Sequence, residues 1–76
     1  MNKMRRNALD DIRNGLETPM IAVEDLRDEE QEAFDNMPEG LQLSERGETM
    51  EEAIDNLDTA ISDISEAMDC ILEAIG

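Results

Sequence analysis

The sequence predicts an all-α protein, an antiparallel coiled-coil-like helical hairpin that dimerises into a four-helix bundle. Three observations lead there. The composition is dominated by Ala, Glu, Asp, Leu, Ile and Met, with only two prolines and four glycines, which favours helix over sheet. The second half repeats apolar residues every three and four positions, and the first half carries the same rhythm, so the two can pair about a Pro/Gly loop. The 76 residues form one domain, 1–76, near the size at which a single core supplies only about 3–5 kcal/mol. Self-association follows as an expectation. With Phe34 the only aromatic residue, any core is aliphatic.

The first helix is expected over about 3–37. Its line reads Leu9, Ile12, Leu16, Pro19, Val23, Leu26, Glu30, Ala33 and Met37. Proline inside a helix costs about 3 kcal/mol unless the helix restarts there, and Thr18-Pro19 reads as a cap followed by a first-turn proline. A break or kink near Gly15 to Pro19 is expected. Glu30 is either displaced in the packing by Phe34 and Met37 or lies where the hairpin opens toward its loop. Residues 38–43 form that loop, punctuated by Pro38 and Gly40, with Leu41 and Leu43 folding back as an apolar plug.

The second helix is expected over about 44–75, with Ser44 as N-cap and Glu45 and Glu48 complementing the positive helix end. Thr49-x-x-Glu52 is a rival capping box. Met50, Ile54, Leu57, Ile61, Ile64, Met68, Ile71 and Ile75 form a heptad seam. The residue before every other seam position is alanine: Ala53, Ala60, Ala67 and Ala74. This stripe lets a neighbouring helix approach closely and is the expected dimer face, with Met20, Ile21 and Leu72 joining it. All ten acids of the helix fall outside the seam. Antiparallel folding pairs residues whose numbers sum to about 87, which leaves Lys3, Arg5 and Arg6 overhanging the end of the second helix. There they either complement its free carbonyls or form a frayed tail.

Charge narrows the function. Twenty-one acids against six bases give a net charge of −15, which removes an electrostatic route to nucleic acid or anionic lipid and points to a basic protein partner. No apolar run approaches the length of a membrane span, and the start lacks the apolar stretch of a signal peptide, so a cytoplasmic location is expected. The chain has no His, no glycine-rich phosphate loop and no nucleophile within helical reach of a base, which reads as a non-enzyme needing no cofactor. No Asp-x-Asp-x-Asp-Gly loop is present to hold calcium, and no metal is expected. The single Cys70 lies one residue off the seam and reads as a spectator thiol.

The acidic surface is the feature with functional reach. Glu24, Asp25, Asp28, Glu29, Glu32 and Asp35 on the first helix, with Glu51, Glu52, Asp55 and Asp58 on the second, concentrate carboxylates toward the loop. A rod so charged can occupy the positive channel of a nucleic-acid enzyme as DNA does. The alternative is an assembly module whose acidic face only keeps it soluble. From Asp28 to Gly76 only Arg46 is basic, a lopsidedness that favours the first reading.

The stretch from Asp28 to Glu39, continuing through Ser44-Glu45-Arg46-Gly47-Glu48 to Glu51–Leu57, resembles short acidic helical proteins encoded by phages and prophages of Gram-positive bacteria. It covers the middle of the chain and leaves out Thr18–Val23. The resemblance implies a mobile-element setting and an anti-defence role of the anti-CRISPR or anti-restriction kind, directed at a CRISPR nuclease or another DNA-binding host enzyme.

Overall fold

The computed structural model describes residues 1–76 and contains three helices, α1 (Lys3–Asp35), α2 (Glu39–Gln42) and α3 (Glu45–Ile75). The two long helices pack side by side as an antiparallel hairpin measuring 58 × 15 × 12 Å. No helix is long and apolar enough to cross a membrane.

In α3 all eight seam residues from Met50 to Ile75 are at least partly withdrawn from solvent, and Ile54, 6% exposed, is the one buried apolar side chain. The face of α1 that meets them corrects the expected line. Its seam positions are Leu9, Arg13, Leu16, Met20, Val23, Arg27, Glu30, Phe34 and Met37, a strict alternation of four and three, and Asp10, Glu24 and Gln31 are partly covered beside them. Ile12, Pro19, Leu26 and Ala33 are exposed, each one residue short of the position that faces α3. The physical reason is reach. Met20 and Phe34 fill more of the seam than Pro19 and Ala33 can. Arg13 and Arg27 lay aliphatic stems along it; Arg27 turns its guanidinium to carboxylates at the edge, whereas the Nε of Arg13 is buried without a partner. Glu30 keeps its place in the line and is half-buried, as is Phe34.

Pro19 does not divide the first helix, since α1 runs through it as one element. Its ring removes a donor that the Gly15 carbonyl would otherwise accept. Both residues are exposed, and nothing lies within 4 Å of a side-chain carbon built on Gly15, so water can reach that carbonyl. At the start, Asn2 caps α1 by accepting from the Arg5 amide at 2.9 Å. Lys3, Arg5 and Arg6 are therefore helical, not frayed. None of them forms an ion pair.

The turn is tighter than a loop. After Pro38 the chain makes the single helical turn α2, with the Pro38 carbonyl accepting from the Leu41 and Gln42 amides at 2.9 and 3.1 Å. The Gln42 side chain donates to the Phe34 carbonyl at 2.9 Å, occupying one of the acceptors that the end of α1 leaves open. Ser44 is the N-cap of α3: its hydroxyl accepts from the Gly47 amide at 3.4 Å and donates to the Leu41 carbonyl. Thr49 lies within the helix and donates to the Glu45 carbonyl. Gly47 is fully buried, and a side-chain carbon there would lie 2.1 Å from the Gln42 carbonyl oxygen. The backbone of α2 rests against this glycine. The expected plug does not form, because Leu41 and Leu43 are 47% and 75% exposed. Backbone hydrogen bonds, not leucine packing, close the turn.

Candidate functional site

The hairpin has two long sides of opposite character, and one ion pair identifies the first. Arg27 is the only residue bridging the helices by charge: its Nη1 donates to Asp58 at 2.8 Å and its Nε to Asp28 at 3.0 Å. These bonds, Asp58 first, hold the guanidinium more firmly protonated than usual. The bridge pairs residues across the seam near its middle. On the same side, a shallow hollow open to solvent is lined by Met20, Glu24, Ile61, Ser62, Ser65, Glu66 and Asp69. A second, nearer the turn, is lined by Gln31, Phe34, Glu51, Ile54 and Asp55. Gln31 donates to Asp35 at 2.9 Å, holding that carboxylate at the same edge.

This arrangement sorts the sequence-derived acidic set. Glu24, Asp28, Asp35, Glu51, Asp55 and Asp58 share the side marked by Arg27. Asp25, Glu29, Glu32 and Glu52 are exposed, and at 3.6 residues per turn they fall on the outer or opposite faces of their helices. Glu66 and Asp69 belong to the acidic side and were missed by an argument based on charge density near the loop. Their three- and four-residue spacing behind Ser62 and Ser65 is the signal that could have found them. Asp28 and Asp58 carry less free charge than expected because Arg27 pairs with both.

The opposite side is uncharged along most of its length. On α1 it consists of Ala8, Ile12, Gly15, Pro19, Ala22, Leu26, Glu29 and Ala33, again in steps of four and three, with Glu29 its one charge. Ile12 and Leu26 are 55% and 59% exposed. On α3 it consists of Ala53, Ala60, Ala67 and Ala74, of which only Ala60 is partly covered, with Asn56, Asp63 and Cys70 exposed along its outer edge. The two stripes lie level in the antiparallel register, with Ala33 beside Ala53, Leu26 beside Ala60, Pro19 beside Ala67 and Ile12 beside Ala74. Each pair of numbers has the same sum, so a mainly apolar strip runs along the hairpin, with Glu29 and Asp63 at its outer edges. The expected contributors Met20, Ile21 and Leu72 are not part of it. Met20 points into the seam, while Ile21 and Leu72 are exposed on the acidic side by helical phase.

No family model matches this chain, and neither a curated protein nor a solved structure is similar to it.

Charge also differs along the rod. In the half that contains the turn, residues 24–61, fourteen acids face only Arg27 and Arg46, a net −12. The open half has seven acids against Lys3, Arg5, Arg6 and Arg13, a net −3. Ion pairs engage Asp10, Asp28 and Asp58 and leave the other eighteen acids free. No three side chains converge as a set of metal ligands.

Proposed function

We propose that this chain is a non-enzymatic inhibitor from a phage or similar mobile element, acting in the bacterial cytoplasm by presenting its acidic side to a basic, nucleic-acid-handling host protein in place of DNA. The observation that carries the reading is the run of uncompensated carboxylates contributed by both helices to one side, densest toward the turn. Twenty-one carboxylates along a 58 Å rod give one per roughly 2.8 Å, against about 1.7 Å per phosphate in duplex DNA. A pair of hairpins side by side would match or exceed the density of DNA. A positively charged channel gains from such a surface through steering and release of its counter-ions. CRISPR nucleases and other DNA-binding host enzymes are the targets of this chemistry.

The test is competition. Tagged chain is used to capture proteins from bacterial lysate, and each captured protein is then challenged with duplex DNA and with salt. The reading expects a nucleic-acid enzyme that DNA and salt both displace, and whose capture fails with Glu51→Lys/Asp55→Lys while helicity is kept. Asp58 is left intact because its reversal would break the Arg27 bridge. Capture that survives both DNA and charge reversal would contradict it. The exposed apolar strip favours a second reading, a coiled-coil assembly module, which would instead capture partners insensitive to salt.

A further inference from the structure

We infer that the apolar side is a self-association surface on which two copies pack face to face and head to tail, each turn lying beside the open end of its partner. The inference is independent of any inhibitor role. It rests first on area. A compact chain of 8.5 kDa exposes about 4,700 Å², whereas this hairpin exposes 5601 Å² and buries only Gly47 and Ile54. The excess of about 900 Å² is close to the ~800 Å² that each partner contributes to a standard interface. The acidic side cannot supply that contact, because two copies of it would bring like charges together. The strip containing Ile12, Leu26 and Ala60 is apolar over most of its length, with Glu29 and Asp63 its only charges and both at its outer edges.

Charge then decides the direction. Stacking two hairpins with their turns together would superpose the −12 halves. Head to tail, with the two-fold axis at the middle of the strip near Ala22, the Lys3, Arg5 and Arg6 overhang of one copy comes level with Glu39, Glu45 and Glu48 of the other. Those three bases sit unpaired at the positive end of their own helix, an unfavourable place for cations that a neighbouring acidic turn would relieve. In this arrangement every helix is antiparallel to both of its neighbours, and the acidic sides face outward on opposite surfaces of a four-helix bundle.

Sedimentation equilibrium tests the surface, and cross-linking tests the direction. The full chain is expected to sediment at twice 8.5 kDa. Leu26→Glu should weaken association about a hundredfold, since two copies of the change fall in one interface. Ile21→Glu, on the acidic side, should leave the mass unchanged. Leu26 is 59% exposed in the hairpin, so loss of helix together with loss of the dimer in Leu26→Glu would also support the inference. Ala22→Cys in a Cys70→Ser background should oxidise to a disulfide-linked dimer. A helical wild type that stays monomeric, or an Ile21→Glu as disruptive as Leu26→Glu, would overturn the surface. A dimer in which Cys at position 22 fails to link would overturn the head-to-tail direction.

Discussion

The two flanks of α1 show how little separates a core from a surface in a helical hairpin. Leu9, Arg13, Leu16, Met20, Val23, Arg27, Glu30, Phe34 and Met37 meet α3, while Ala8, Ile12, Gly15, Pro19, Ala22, Leu26, Glu29 and Ala33, one residue behind, do not. The covered line contains three charged residues, and the uncovered one contains a single charge, Glu29. Hydrophobicity alone would choose the wrong flank. The hairpin packs its longer side chains inward, using arginine stems as apolar cover, and keeps its small and branched residues for an outer strip. A helix with two adjacent heptad lines is suited to two neighbours, and the hairpin supplies only one.

Substitutions that treat the two flanks alike should separate them. The largest effect is expected at Ile54, where Ile54→Ala should lower stability by about 3 kcal/mol in urea unfolding, because it is the most deeply buried apolar side chain of the seam. Gly47→Ala should cost about 2 kcal/mol, since its new carbon meets the Gln42 carbonyl and must prise α2 from α3. The loss should appear in the same unfolding experiment. Pro19→Ala should go the other way, adding about 1–2 kcal/mol by restoring the missing helical hydrogen bond. Ile12→Ala should cost under about 1 kcal/mol at low protein concentration, where the strip is uncovered, and more as concentration rises. The smallest change in melting temperature is expected for Asp58→Asn, which removes an ion pair exposed to solvent at its edge. Added salt should narrow the difference between this variant and wild type.

Much of the architecture is legible in the sequence. The α3 seam could be read because one apolar line stands alone there, flanked by alanine and acids, so period and hydrophobicity agree. The helix–turn–helix order and the antiparallel register, within a residue or two, followed from the same periodicity. In α1 they disagreed: positions 9, 16, 23, 30 and 37 were correct, but Ile12 and Leu26 outranked Arg13 and Arg27 on apolarity, although arginine stems can line a seam. Leu41 and Leu43 drew attention away from Gly47, whose place three residues after the Ser44 cap was the better sign of close backbone approach. The acidic set was legible in composition and only partly in placement. Charge density cannot tell which carboxylates share a side, and that depended on the phase of α1.

The most direct test charges each side in turn and weighs the result. Sedimentation equilibrium would compare Leu26→Glu/Ala60→Glu with Glu51→Lys/Asp55→Lys, each made in the full chain. If the apolar side joins copies and the acidic side is left for other partners, the first pair falls toward the 8.5 kDa monomer and the second stays at twice that mass. Equal masses for the two variants, or a dimer lost only on the acidic side, would contradict this division of the hairpin.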